Sequence, residues 1–484
     1  MESYQNQPLF AQLDQSIQYI QEVAQSTSDL LVNRFLLSGI PAALLCCEGM
    51  HSTATITELI LRPITQVQLE HPTAQNLLQY IEMRQLYSTD RAQAETYGEL
   101  FRFLNSGFAV LLIDGAAKAL TFGVQGYDKR GVSEPFGEGN LMGAQDAFIE
   151  VVRVNMSLLR RRMKSPYLKM KLFVKGEKSQ TDLCLCYMYD RVPKKLLKQI
   201  QAQLDEMELE TILSIGYVQP FLENRRGGIF DAVGTTQRPD VLCAKLLEGR
   251  VALLIDGSPF ALVIPKLFNE NFQTMDDYCL KPYYATFIRW LKFIAFLMAV
   301  LLPALYLAIA LHHPELLNRT LLLILAEAEE QAPFSLTAEA IGITLAYEIV
   351  REAGLRLPKA VGGAVSIVAG LIIGDAAVAS GLISTPLLTV TALAVISGFV
   401  VPDLNQVITI LRLAFLLAAG LFGLFGISLL GAVVLFNLCA TETFGFPITA
   451  PISPFRKKAM RDIITRVSFR KMQSGQFTVE EYHE

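Results

Sequence analysis

Across 484 residues the chain is 52% hydrophobic and 18% charged, short of the ~25% charged that soluble domains carry. Its net charge is −4 and its pI about 5.9, which excludes the strongly basic surface of a nucleic-acid-binding domain. Charges run throughout residues 1–290, whereas Phe293–Leu311 and Leu413–Ala440 have none and Asp375 is the sole charge between Val361 and Pro402. The chain therefore divides into a soluble half and a membrane half.

Residues 1–30 are polar and Gln-rich, with neither a basic n-region nor an apolar h-region. They read as a polar N-terminal arm, and the half that follows is expected to stay in the cytoplasm. Phe108-Ala-Val-Leu-Leu-Ile-Asp-Gly115 reads as a strand ending in a hairpin turn, because Asp-Gly supplies positive φ, and Ala119–Phe122 is the returning strand. The pattern recurs at Val251-Ala-Leu-Leu-Ile-Asp-Gly257 and Ala261–Ile264, with Asp256 in the place of Asp114. This repeat predicts two related α/β subdomains, 31–150 and 151–285. The second also holds a strand at Leu183–Tyr189 and a helix at Pro193–Met207. Two such lobes would frame a cleft, a common place for a ligand. The seven cysteines show no C-x-x-C spacing and read as buried, reduced thiols.

The membrane domain is expected over 286–441. Phe287–Leu311 is its first span, with Arg289, Trp290 and Lys292 at the interface and Pro303 tolerated as membrane helices tolerate it. Val361–Pro402, broken near Gly381 and Pro386, fits two spans, and Leu413–Ala440 is a fourth. Phe334–Leu357 is helical by period and carries Glu339, Glu348, Arg351, Glu352 and Arg356. It is either a surface helix with a solvated charged face or a helix at membrane depth lining a water-filled cavity, giving four spans plus a charged helix or five spans. Asp375, among glycines and alanines that allow close packing, faces the same choice. These six ionisable residues are the candidate pore or gating residues. The tail, 442–484, carries Arg456, Lys457, Lys458, Arg461, Arg466, Arg470 and Lys471, and Met460, Ile463, Ile464 and Val467 predict an interfacial amphipathic helix in it. A basic tail and an unexported N-terminal half place both ends on the cytoplasmic side, which requires an even number of crossings.

Catalytic chemistry finds no footing. His51, His71, His312, His313 and His483 are scattered, and no metal or cofactor site is expected. Gly137-Glu-Gly-Asn-Leu-Met-Gly143 matches neither the dinucleotide fingerprint nor a P-loop. Arg160-Arg161-Arg162 with Lys164 reads as a solvated helix face or a partner contact.

Several stretches carry a family likeness. They include Ser133-Glu-Pro135, Asn155-Met-Ser-Leu-Leu-Arg-Arg-Arg162, Gln237-Arg-Pro-Asp240, Gly249–Phe260 and Phe272-Gln-Thr-Met-Asp-Asp-Tyr278. Glu348–Pro358 and Ile372-Ile-Gly-Asp-Ala-Ala-Val378 continue the likeness in the membrane half. Over roughly residues 100–450 the chain resembles the A subunits of GerA-type spore germinant receptors, although the family usually has Gln where Asp375 stands. The resemblance implies a multi-pass protein of the spore inner membrane, working with a permease-like B subunit that binds the germinant and a lipoprotein C subunit. It implies a homo-oligomeric ring that conducts monovalent cations from the spore core. A signal-amplifying paralogue, a non-conducting relay subunit and a secondary transporter are the alternatives, and paired broken helices of equal length, expected of a transporter, are not evident.

Overall fold

The computed structural model describes residues 4–25, 27–65, 69, 72–84, 91–124, 126, 138, 142–223, 228–330, 332–356, 376–455 and 459–472. The soluble half is built from two five-stranded antiparallel sheets. The first contains β1 (Leu30–Leu37), β2 (Ile40–Cys47), β3 (Arg91–Ala94), β4 (Phe108–Ile113) and β5 (Ala119–Gly123), in the order β1-β2-β4-β5-β3. The second contains β6 (Leu168–Lys175), β7 (Thr181–Met188), β8 (Gly234–Thr236), β9 (Val251–Ile255) and β10 (Ala261–Ile264), in the order β6-β7-β9-β10-β8. The two orders superimpose strand for strand, so the repeated hairpin belongs to a repeated fold.

Helices cover both faces of each sheet. In lobe 1, α1 (Leu13–Ala24) and α3 (Tyr97–Leu104) pack on Ala43, Leu45, Val110 and Leu112, while α2 (Ala74–Arg84) lies on the face of Leu44, Leu111 and Ile113. In lobe 2, α4 (Val152–Arg162) and α7 (Pro239–Leu247) cover Cys184, Cys186 and Leu254, and α5 (Lys194–Asp205) and α6 (Ile215–Leu222) cover Leu183, Leu185 and Leu253. Alternate strand residues point to opposite faces, and both faces are buried. That is why the central strands read as unbroken apolar runs.

Within the polar N-terminal arm, Leu13–Ala24 is a helix packed on lobe 1. Leu13, Ile17, Ile20 and Ala24 recur at helical spacing and are buried in lobe 1. The Asp-Gly loops explain how this helix is held. Asp114 Oδ1 accepts the Leu13 amide at 2.8 Å, and Gly115 N donates to Ala11 O at 2.8 Å. In lobe 2, Asp256 Oδ1 accepts from Val152 N at 3.0 Å and Gly257 N donates to Glu150 O at 2.7 Å. Each aspartate thus serves the free amides at the start of its lobe's first helix. Only the glycines of these pairs, at φ 89° and 83°, take positive φ.

The seam between the lobes is filled where the sequence suggested a cleft. Thr27 and Ser28 run along edge strand β6: Ser28 N donates to Met170 O (2.9 Å) and Leu172 N to Ser28 Oγ (3.0 Å). Arg160 and Asp29 form a buried pair, with Nε and Nη2 at 2.8 and 2.7 Å from Oδ2, and Arg160 also donates to Ser165 O and Leu168 O. Arg161 and Arg162 pair with Asp146. The basic cluster is therefore a structural bolt, and Arg160 is not solvated.

Beside this pair the Lys169 ammonium is buried and donates to two carbonyls, Val23 O (2.8 Å) and Pro166 O (2.7 Å). Burial pushes it down to about 7, with the neighbouring Arg160 acting in the same direction and Asp29 opposing. A depressed lysine contributes stability in full above its ordinary value near 10.5 and loses it as pH falls through about 7. The full chain should therefore melt lower at about pH 6 than at about pH 8, and Lys169→Met should flatten that difference. Equal pH dependence in the two proteins would remove Lys169 as its source.

The helical half contains α8 (Pro282–His312), α9 (Arg319–Glu330), α10 (Leu336–Arg356), α11 (Thr385–Phe399) and α12 (Asn405–Ala440). Among the described residues two segments, Pro282–His312 and Pro402–Ala440, are long and apolar enough to cross a membrane. Within Val361–Pro402, residues 361–375 lie outside the described residues; beyond them Gly381 has φ 69° and Pro386 lies in the first turn of the 15-residue α11. No helix spans 460–468, where the amphipathic helix was expected. A 3-10 turn, Ala459–Asp462, stands there instead, because Asp462 and Arg466 turn inward to partners in the fold and Ile463 is buried.

Helix α12 is folded on itself. At Gly423 the backbone takes φ 58°, ψ −140°, and the Cβ position of Gly426 lies 2.9 Å from the Ala418 carbonyl carbon. Eight residues of continuous helix would separate those positions by ~12 Å. The first half runs alongside α8 to its far end, where His312 Nε2 meets Gly420 O at 3.1 Å. The second half returns to lobe 2, where Asn437 Oδ1 accepts from Ile229 N at 3.1 Å. One apolar run thus supplies two antiparallel passes.

Candidate functional site

Helix α10 runs opposite to α8 through the block. Near its start Thr337 packs on Gly420 at the far end, and Glu339 Oε2 accepts from Ser384 N at 3.1 Å. Farther along, Glu348 and Arg351 meet Thr409 in the second turn of α12, level with the middle of α8, where Arg412 reaches Ala299 O. The charged helix therefore packs lengthwise against the first half of α12.

At mid-depth three helices share a polar layer. Arg351 Nη2 lies 2.6 Å from Glu348 Oε2, Thr409 Oγ1 donates to Glu348 Oε1 at 3.1 Å, and Arg351 Nη1 donates to Thr409 Oγ1 at 3.2 Å. Arg412, 3% exposed, stands behind them with Nη1 at 3.9 Å from Glu348 Oε1. Its Nε donates to Ala299 O at 2.8 Å. That carbonyl would ordinarily accept from residue 303, but Pro303 has no N–H. Arg412 replaces the missing donor, and Gly398 of α11 leaves room for its guanidinium, with Nη2 3.5 Å from the Cβ position.

The six sequence-derived candidates thus separate. Glu348 and Arg351 meet in this layer. Glu339 is buried at the start of α11, where a carboxylate favours the helix N-terminus. Glu352 and Arg356 form a pair on the outer face of α10, their side chains 54% and 79% exposed. Asp375 lies outside the described residues. Arg412, unnoticed in the sequence, completes the layer; the available signal was a lone arginine at the head of an apolar run that starts at Leu413.

A second ionic cluster joins lobe 2, α8 and the tail. Arg289 Nε lies 2.7 Å from Asp277 Oδ2, and Nη1 lies 3.0 Å from Asp462 Oδ1, while Tyr278 donates to Asp462 Oδ2 at 2.7 Å. Arg466 Nη2 donates to Tyr278 O at 3.1 Å. Arg289 is fully buried, and Lys292 lies 3.9 Å from Asp277, so these two are not free interfacial cations. Elsewhere Arg250 pairs with Glu248 and Glu270. Burial pushes the Glu270 carboxyl up, but Arg250 and Lys245 overcome it and hold the group below its usual range.

These features define a class: two like α/β lobes locked to a block of apolar, membrane-capable helices with an ionic layer at its centre. The family model described as Bacillus/Clostridium GerA spore germination protein matches residues 18–476, and the chain belongs to that family. It is 33% identical over 448 residues to spore germination protein KA of Bacillus subtilis (strain 168), covering 91% of this chain and 82% of that protein. It is 32% identical over 476 residues to the uncharacterized membrane protein YfkQ of the same organism, covering 98% and 92%. The crystal structure of the N-terminal domain of the A subunit of the Bacillus megaterium spore germinant receptor GerK3 is 26% identical, covers 54% of this chain and 97% of that one, and has a TM-score of 0.42.

Proposed function

We propose that the chain is a membrane subunit of a nutrient germinant receptor, and that copies of it form a ring whose gated pore passes monovalent cations out of the spore core. The observation that carries this reading is the depth of α10, whose inner charges Glu348 and Arg351 lie among membrane-length helices. Ionisable residues at that depth are costly and mark ion paths. The outer face of α10, with Ile349, Glu352 and Arg356 exposed, is the face a ring would turn towards its axis or a neighbour. The lobes face the cytoplasmic or core side, and both ends of the helical block return to them. A permease-like B subunit and a lipoprotein C subunit complete the receptor.

In this reading the Glu348–Arg351–Arg412 layer is a lock that holds α10 against α12, since the carboxylate is already neutralised by two cations. Glu348→Gln should free α10 and raise the potassium leak of liposomes containing the purified full chain by ~10-fold, equivalent to ~1.4 kcal/mol on a closed–open equilibrium. An oligomer that stays tight with Glu348→Gln and with Arg351→Gln sinks the pore reading. A second reading, a non-conducting relay subunit, is supported by the closure of the layer within one chain and by the Arg289 cluster that ties lobe 2 to α8 and the tail. A monomer both in detergent and in membranes favours relay.

A further inference from the structure

At the far end of the helical block, α8, α9, α10 and the residue before α11 enclose a cavity of about 60 Å³. That exceeds the ~10–15 Å³ one water needs and falls far short of the ~300 Å³ of an organic-ligand pocket. Leu325, Ala326 and Leu336 give it apolar walls, and its polar lining is Tyr306, Glu329 and Ser384. Glu339 stands behind Ser384 and is 3% exposed. Its Oε2 accepts from Ser384 N at 3.1 Å, whereas Oε1 is shielded from solvent with no hydrogen-bond partner among the described residues. Ser384, 6% exposed, leaves its own Oγ shielded and unpartnered. The Tyr306 hydroxyl faces Ser384, Glu329 and Glu339 without closing a bond to Ser384 Oγ. Two orphaned oxygens therefore meet at one small cavity.

The chemistry of these oxygens narrows the class. A buried carboxylate is costly unless it is paired, and neither Glu339 nor Glu329 belongs to an ion pair among the described residues. The start of α11 offsets part of the Glu339 charge through Ser384 N, and Oε1 is left to a ligand. Carboxylate, hydroxyl and phenol are hard oxygen donors, which suit alkali and alkaline-earth cations over softer metals. Among the described residues no three His, Cys, Asp or Glu side chains gather to hold a metal ion, and one buried carboxylate balances a single charge. An organic cation is too large for the space. We propose that this cavity binds one alkali-metal cation, Na+ or K+, on Glu339, Ser384 and Tyr306. The cation would also draw in Glu329 across the cavity and fasten α9 to α10 and α11. The site goes beyond the pore reading, because it lies within one chain and needs no ring.

The test follows the melting temperature of the purified full chain in detergent as NaCl or KCl replaces N-methyl-D-glucamine chloride at constant ionic strength. That organic cation cannot enter the cavity, so a saturable rise with Na+ or K+ is expected, as for any ligand that binds the folded state alone. Ser384→Ala should weaken the apparent affinity ~10-fold, since it removes the hydroxyl and keeps the backbone N–H that Glu339 accepts. Glu339→Gln should abolish the saturable rise. No rise in the parent protein up to ~0.3 M of either salt would overturn the proposal, whether or not the Glu339→Gln protein folds. So would a rise of the same affinity in Ser384→Ala and Glu339→Gln, which would place the cation elsewhere. Because the readout is binding and not ion flux, its failure would leave the pore reading untouched, and the reverse holds as well.

Discussion

Replacing Asp29 by alanine is expected to destabilise the seam between the lobes by about 3–5 kcal/mol, the cost of stranding a buried guanidinium. Arg160 would keep its bonds to Ser165 O and Leu168 O but lose the carboxylate that balances its charge, and Thr27 would lose the acceptor that Asp29 Oδ1 gives it at 2.6 Å. The damage should spread along β6, because the Thr27 hydroxyl that Asp29 orients also accepts from Met170 N at 3.1 Å. Hydrogen exchange on the full chain is the suitable measurement, because it reads the opening of the seam amide by amide. The Met170 and Leu172 amides should exchange about 100-fold faster or more, while α12 amides stay unchanged. The double variant Asp29→Leu with Arg160→Met should recover most of the loss, because removing both members of a buried pair is often nearly neutral. Exchange in β6 that does not change with Asp29→Ala would show that edge pairing alone holds the seam.

That pair also shows what could be read in advance. The strands were legible because β4, β7 and β9 are buried on both faces and appear as short apolar runs, and the Asp-Gly repeat disclosed the doubling of the fold. Helix α1 was obscured because glutamines fill the positions between Leu13, Ile17, Ile20 and Ala24, so composition suggested a solvated arm where spacing specified a buried face. The fold-back of α12 was not legible: Gly420, Gly423, Gly426 and Gly431 are equivalent in an apolar run, and only contact with His312 shows which one turns the chain. In the candidate site, Glu348 and Arg351 could be paired from helical spacing, being i and i+3. Their third partner could not, because Arg412 answers a carbonyl left open by a proline in another helix.

The second large effect follows from that proline. Arg412→Leu should leave the Ala299 carbonyl buried without a donor, a cost of ~1–3 kcal/mol, and should also remove one of the two cations facing Glu348. The first part depends on Pro303, so it can be separated from the second. Pro303→Ala restores a backbone N–H to α8, and that group can close the helical bond to Ala299 O. In the Pro303→Ala background, Arg412→Leu should therefore cost ~1–3 kcal/mol less than in the parent protein, a coupling readable as a difference in melting midpoints of the purified full chain. Equal costs in the two backgrounds would mean that Arg412 acts only through Glu348. Running the same substitution in Glu348→Gln then isolates the ionic part, because the carboxylate at 3.9 Å is gone while the Ala299 bond remains. If both couplings are found, α8, α10 and α12 are held at one level by a single arginine, and releasing either contact frees α10 to tilt.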